Sequence, residues 1–192
     1  MYMDNKLEKT LKKIKPIPFT KTMYRNSDIK YLLLGDNPLS GEGAKFADGR
    51  FHLKSHGISC YYASEDMYTS FDETYHPKDQ NHPPRIFISL VIQLDSVLDL
   101  CNDANWDILQ TSYQELTGNW KNHFTQTPAP TQLLGKAAYD SQRFEAIQFY
   151  TAKGEPKRNI VIFPELLKKG SFVNVYDPDG GIAKILKGVY DD

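Results

Sequence analysis

Leu7, Leu11 and Ile14 fall at i, i+4 and i+7 among Lys6, Lys9, Lys12, Lys13 and Lys15. This spacing predicts an amphipathic helix within residues 1–15, stopped by Pro16 and Pro18. A short strand is expected from Thr20 through Met23, Tyr24 and Arg25, then a loop carrying Gly35, Asn37, Pro38, Gly41, Gly43 and Gly49. Ile58 to Tyr62 reads as a strand ending at Ala63. Ser64 is expected to N-cap the following helix, with Glu65 and Asp66 in its first turn, where the helix dipole favours acids. That helix runs through Met67, Phe71 and Tyr75, with Tyr68, Phe71 and Tyr75 as its apolar face, and His76 to Pro84 reads as a polar loop. The strongest strand is Ile86 to Leu94. It is apolar at Ile86, Ile88, Leu90 and Ile92 on one side and at Phe87 and Val91 on the other, as in a strand covered on both faces. Helices are expected over Ala104–Leu116 and Thr131–Tyr139, and strands over Ala146–Tyr150, Asn159–Phe163 and Phe172–Tyr176. Helices and strands intersperse without a βαβ repeat. The fold class expected is therefore α+β: one mixed-sheet domain over residues 20–192, preceded by a helix and linker over 1–19.

Length and composition narrow this picture. A chain of 192 residues suits one domain. With 40 % hydrophobic and 24 % charged residues it has the balance of an ordinary globular chain. The net charge of −1 gives no global positive field for nucleic acid or anionic lipid, so neither is expected as a partner. Cys60 and Cys101 are too few for a disulfide scaffold and are expected as reduced thiols. No apolar run reaches membrane-helix length, and the lysine-rich start has no apolar stretch of the signal-peptide kind, so a cytoplasmic location is expected. Twelve Tyr, ten Phe and two Trp suit either an aromatic-lined cleft or a Tyr-rich core.

Three stretches carry candidate chemistry. Ser40-Gly41-Glu42-Gly43-Ala44 with Gly49-Arg50-Phe51 is either a backbone cradle for phosphate with an arginine beside it or an ordinary surface turn; it lacks the dinucleotide GxGxxG spacing. In the unit from Gly57 to Glu73, Tyr62 ends a strand and Glu73 lies on the next helix, one turn after Thr69. That carboxylate either reaches back over the strand end or faces solvent. Phe149-Tyr150-Thr151-Ala152, followed by Lys153, Gly154, Arg158 and Asn159, offers a hydroxyl near cations or a plain hairpin connection.

Taken in order, these stretches resemble the RES domain family. The resemblance spans Tyr24 to Tyr176. It comprises Tyr24-Arg25; Leu39 to Ala44 leading into Gly49-Arg50-Phe51, where the family usually has Trp in the last position; Tyr62 followed eleven positions later by Glu73; Thr131-Gln132-Leu133-Leu134-Gly135; Phe149 to Ala152, with Thr151 where the family has Ser; and Arg158 to Phe163. What the resemblance implies is an ADP-ribosyltransferase-like fold with a central cleft for NAD, which is the substrate rather than a resident cofactor. It implies no metal. It also implies a toxin that depletes NAD by cleaving the nicotinamide–ribose bond, as glycohydrolase or phosphorylase, and an Xre-type antitoxin as partner. In these terms Glu73, Tyr62, Arg25 and Arg50 are the catalytic candidates, and Arg25, Arg50, Tyr62, Thr151 and Gly43 the NAD-binding ones. Glu73 would stabilise oxocarbenium charge, Tyr62 would stack on nicotinamide, and the two arginines would pair with the pyrophosphate. A protein ADP-ribosyltransferase and a catalytically silent binding module are the other readings. The N-terminal helix is read as a terminal cap or as a contact for an antitoxin or a second subunit of a homodimer.

Other motifs are read blandly. His52 and His56 have i, i+4 spacing but no evident third metal ligand; Cys60 has no adjacent base; Asp177 to Gly181 reads as a turn; Trp106 and Trp120 read as packing residues.

Overall fold

The computed structural model describes residues 2–29, 37, 39–75, 84–121 and 127–182, with side chains from residue 6 onward. Gly35, Pro38 and the greater part of the expected loop from His76 to Pro84 lie outside the described residues. The chain opens with α1 (Tyr2–Leu11) and a long β1 (Ile17–Asp28), then β2 (Tyr61–Ser64), α2 (Met67–Thr74) and β3 (Arg85–Asp99). There follow α3 (Asp103–Leu109), α4 (Tyr113–Thr117), α5 (Pro130–Asp140), β4 (Ala146–Tyr150), β5 (Arg158–Ile162) and β6 (Phe172–Val175). One six-stranded mixed sheet has the order β1-β2-β5-β4-β3-β6, and β1 pairs with β3 as well. Among the described residues only β3 and β4 run parallel, and the other pairings are antiparallel. This is the mixed α+β domain expected from the sequence.

β3 carries the architecture because it serves two neighbours in turn. Residues 85–94 pair with β1, and Val97–Asp99 pair with β4. Between them the register shifts: Phe19 faces Leu94, whereas Ile17 faces Val97. Pro18 sits at this irregularity, where its missing N–H costs no ladder bond. The strand is therefore longer than the Thr20–Arg25 expectation, since a proline at a bulge need not end it. The backbone amides of Asp95 and Ser96 donate instead to Oε2 of the fully buried Glu145, both at 2.8 Å, while its Oε1 accepts from Lys168 N at 2.7 Å.

Two apolar layers lie on the faces of the sheet. One joins Leu11, Ile14, Phe51, Leu134, Ile147, Phe149 and Val161 under the helices. The other joins Met23, Tyr61, Ile88, Leu90, Ile92, Ala146 and Ile160. The N-terminal helix belongs to the first layer, and Arg143 clamps its end by donating to the carbonyls of Leu11 and Ile14.

Several local expectations change. Phe87 is 41 % exposed and Val91 half-buried, so the first part of β3 is covered on one face; both faces close over only at Ser96–Leu98. Ser64 is held in the ladder opposite Asn159, and Asp66 caps α2 instead, its carboxylate accepting from Thr69 N at 2.8 Å. Tyr68 is 84 % exposed, and the face that α2 buries is Thr69 and Ser70. The single helix expected from Ala104 to Leu116 is two, broken at Gln110, which takes a left-handed φ of 56° and ends α3 before Ser112 caps α4. Among the described residues no helix is long and apolar enough to cross a membrane.

Candidate active site

A cavity of about 910 Å³ opens between α2, the end of β1, the glycine-rich segment and the loop after α4. Ligand sites usually fall at or below this size, and a dinucleotide needs its upper range. Glu73, Tyr62, Arg25, Arg50 and Gly43 all line it. The helix acid, a phenol from within β2 (which begins at Tyr61, not at Ile58 as expected) and both guanidiniums thus converge on one hollow.

Glu73 is the centre of the arrangement. It sits in the last turn of α2, a helix anchored over β1 where Ser70 Oγ accepts from Asn26 N at 2.7 Å. Thr151 Oγ1 donates to Glu73 Oε1 at 2.5 Å and Asn159 Nδ2 donates to the same oxygen at 2.9 Å. One carboxylate oxygen is thereby fixed from two directions. The other makes no hydrogen bond among the described residues, on a side chain that lines the cavity. Thr151 itself is buried and absent from the cavity wall; its hydroxyl aims the acid and is not presented to a ligand.

Tyr62 packs against the apolar layer that holds Phe149, its ring edge-on to Phe149 at 6.2 Å. Its hydroxyl is committed. His52 Nε2 lies 2.9 Å from Ala47 O, so it carries the proton and leaves Nδ1 as an acceptor for the Tyr62 hydroxyl at 3.0 Å. Phe51 N in turn donates to that hydroxyl at 3.0 Å. Burial pushes the phenol well above its usual range and His52 below its own. With its hydroxyl engaged, what Tyr62 has left to present to the cavity is its ring.

The glycine-rich segment is held by this knot and by α5. A Cβ on Gly49 would stand 2.2 Å from the His52 ring and 2.9 Å from the Tyr62 hydroxyl, so only glycine fits. Gln132 Nε2 donates to Gly49 O at 3.1 Å, and one turn later Gly135 lies so close to Phe51 that a Cβ would sit 1.9 Å from its carbonyl oxygen. This accounts for the Thr-Gln-x-x-Gly helix start: Gln132 and Gly135 share the face of α5 that presses on Gly49-Arg50-Phe51. Phe51 is wholly buried, 4.7 Å from the Phe149 ring, and belongs to the core rather than the cavity.

The two arginines are placed differently. Arg50 Nη1 donates to the carbonyls of Leu116 and Gly118, each at 2.9 Å, tying the loop after α4 to the site. Burial lowers its pKa and the nearby Glu73 charge opposes that. Arg25 lies on the other side of β2, its guanidinium 5.3 Å above the Tyr61 ring. Its pKa is lowered by burial, and Nη1 reaches Tyr62 O at 3.5 Å.

Sequence reasoning passed over four residues. Asn159 shares the Glu73 oxygen; the Arg-Asn pair heading a strand was its only signal. His52 was weighed only as a metal ligand, yet both ring nitrogens are occupied, and among the described residues no three His, Cys, Asp or Glu side chains come together to hold a metal. Trp120 was read as packing but lines the cavity, whereas Trp106 does pack, donating to Leu100 O at 2.7 Å. Arg85 lines the cavity too, and nothing in its sequence context marked it. The Cys60 thiol is buried and raised to about 12, which leaves it un-ionised and unfit as a nucleophile.

A single mixed α+β domain is the fold class expected from the sequence, and the comparisons bear out the family and the fold. The chain belongs to the RES domain family, whose sequence model matches residues 22–179. Seven chains of solved structures match it; one is from the crystal structure of the M. tuberculosis MbcT–MbcA toxin–antitoxin complex, with TM-score 0.64 and 16 % identity over 91 % of each chain. A search of curated proteins gave no match.

Proposed function

We propose that this protein is a RES-type toxin that cleaves NAD at the nicotinamide–ribose bond. The carrying observation is Glu73: one oxygen pinned by Thr151 and Asn159, the other open to a cavity that also holds two buried guanidiniums. In the reaction the C1′–N bond breaks and its electron pair passes to the pyridinium nitrogen. Nicotinamide then leaves as a neutral ring and needs no strong acid. Positive charge develops on the ribose, where the open Glu73 oxygen lowers its energy. Water or inorganic phosphate adds to C1′; with water the products are nicotinamide, ADP-ribose and one proton. The Tyr62 ring supplies a rigid face for the nicotinamide because His52 and Phe51 N fix it in place. Arg25 and Arg50 supply positive charge along the ligand.

NAD loss arrests growth, and a toxin of this kind needs a neutralising partner. One matching solved chain comes from a toxin–antitoxin complex, which supports an antitoxin partner for this chain as well. We propose further that this antitoxin is of the Xre type and that the pair acts in the cytoplasm, where NAD is found.

The test is release of free nicotinamide by the purified protein. Glu73→Gln keeps the acceptor for Thr151 and Asn159 and replaces the open oxygen with an amide, so the fold should persist while the rate falls by ~10²–10³. Absence of release by the wild type, or equal release by Glu73→Gln, would refute the assignment.

A further inference from the structure

Two rings of the cavity wall have no part in the reaction described above. Trp120 lines the cavity, and so does Phe46, which is 79 % exposed. Arg50, on which the Glu73 charge acts, donates through Nη1 to Gly118 O at 2.9 Å, and Trp120 follows two residues later. Two residues of chain span at most about 7 Å, so the indole is tethered on the side of the cavity where Arg50 meets the acid. Phe46 precedes Ala47, whose carbonyl accepts from His52 Nε2 at 2.9 Å, and His52 in turn holds the Tyr62 hydroxyl. Rings from three separate segments, Phe46, Tyr62 and Trp120, therefore gather on the Arg50 side of one hollow.

Trp120 is not anchored as a packing residue is. Trp106 packs against Tyr113 and donates its indole N–H to Leu100 O at 2.7 Å, whereas the Trp120 N–H makes no hydrogen bond among the described residues. Its π face is open to cations: Lys121 Nζ lies 5.5 Å from the ring centroid. The charges away from the β1 end of the cavity balance. Arg50, Lys121 and Lys153 stand against Glu42, Asp48 and Glu73, so no net positive field turns a cation away.

A ring that enters here is flat, lies beside Glu73 and meets an indole, the aromatic group that attracts cations most strongly. Adenine is flat but neutral. A pyridinium is flat and carries the positive charge, and it is the ring bonded to the ribose carbon on which Glu73 acts. We infer that Trp120 is a wall of a pyridinium pocket, with Phe46 at its rim, and that it selects the positively charged ring of the oxidised dinucleotide over neutral rings of the same shape. This rests on reading the cavity as the NAD site. It adds that charge on the ring, and not flatness alone, selects the substrate. Nicotinamide is neutral once the C1′–N bond has broken, so the same wall holds the product less tightly.

The probe is the methylnicotinamide cation, methylated on the ring nitrogen, which is a pyridinium with no ribose bond to cleave. Neutral nicotinamide is the comparison. The chain has two tryptophans, so Trp120→Phe and Trp120→Leu leave Trp106 as the reporter of folding. A pyridinium quenches the fluorescence of an indole that it touches. In the wild type the cation should quench saturably and bind about tenfold more tightly than nicotinamide. Trp120→Leu should lose the saturable quenching and, by calorimetric titration, most of that preference, with Trp120→Phe between the two. Linear, collisional quenching in the wild type overturns the inference, and so does an undiminished preference in Trp120→Leu. Parallel NAD assays separate this from the catalytic reading. A preference for the cation that depends on Trp120, with no nicotinamide release from NAD, keeps the pocket and removes the glycohydrolase. Nicotinamide release with KM unchanged in Trp120→Leu does the reverse.

Discussion

At the residue scale, His52 ties the glycine-rich segment to the Tyr62 ring through a neutral imidazole. Protonation would convert Nδ1 from acceptor to donor and turn it against the Tyr62 hydroxyl, which already accepts from Phe51 N. Burial holds the folded-state pKa below the ordinary 6.5. The unfolded chain therefore binds a proton at this site before the folded chain does. Stability from His52 is complete above about pH 6.5 and is lost as the pH falls toward the depressed folded value. Thermal unfolding followed between pH 7.5 and 5 should show a falling midpoint for the wild type and a flatter profile for His52→Gln; identical profiles would discard the account. His52 also marks what the sequence could tell. Glu73, Tyr62, Arg25 and Arg50 were legible because each sits in a motif with a fixed offset, and all four reach one cavity. The contacts of Asn159 and Arg85 were not, because they join elements far apart in sequence: Asn159 on β5 meets Glu73 on α2 across 86 positions, and Arg85 on β3 meets Asn26 on β1 across 59. Thr151 was found but its role changed, since only coordinates show its hydroxyl turned toward the acid.

At the scale of the element, the decisive feature is the passage of β3 from β1 to β4. An apolar alternation from Ile86 to Leu94 announced the first half. The second half continues through polar Asp95 and Ser96, whose amides bond to Glu145 and not to a neighbouring strand, and no local pattern signals that. The same limit explains the misplaced cap of α2 and the break at Gln110: Ser64 and Asp66 are both good caps in isolation, and the strand ladder decides between them. Glu145→Gln would place an amide NH₂ or a neutral oxygen where a carboxylate accepts three backbone N–H groups. Loss of charge-assisted bonds in a buried site should cost about 2–3 kcal/mol, measured by urea unfolding at neutral pH. An unchanged midpoint would mean that the irregularity in β3 is held by other contacts. Because β3 and β4 form the sheet on which Asn159 and Thr151 are aligned, the variant should lose stability without altering the chemistry at Glu73 in molecules that remain folded.

For the whole molecule, the question is whether the lysine-rich N-terminal helix is an appendage or part of the folding unit. Its charged face suggested a terminal cap or a partner contact, and its sequence lies outside the residues matched to the family, which begin at residue 22. Leu11 and Ile14 are nevertheless fully buried in the same apolar layer as Phe51 and Phe149, the two rings beneath the Tyr62 face. Arg143, which starts the connection into β4, binds the carbonyl of Leu11, the last residue of the helix, and that of Ile14 just beyond it, and thereby satisfies acceptors that a free helix end would leave to water. A helix attached in this way cannot detach without opening the layer that supports the site. Leu11→Ala should therefore cost about 2–5 kcal/mol and lower the melting temperature by roughly 5–15 °C. The loss should appear as one transition, with far-ultraviolet and near-ultraviolet circular dichroism coinciding, since backbone and aromatic packing fail together. If helical signal disappeared first while the aromatic signal kept the wild-type midpoint, α1 would be a separable cap, and the cavity would owe nothing to the residues that precede β1.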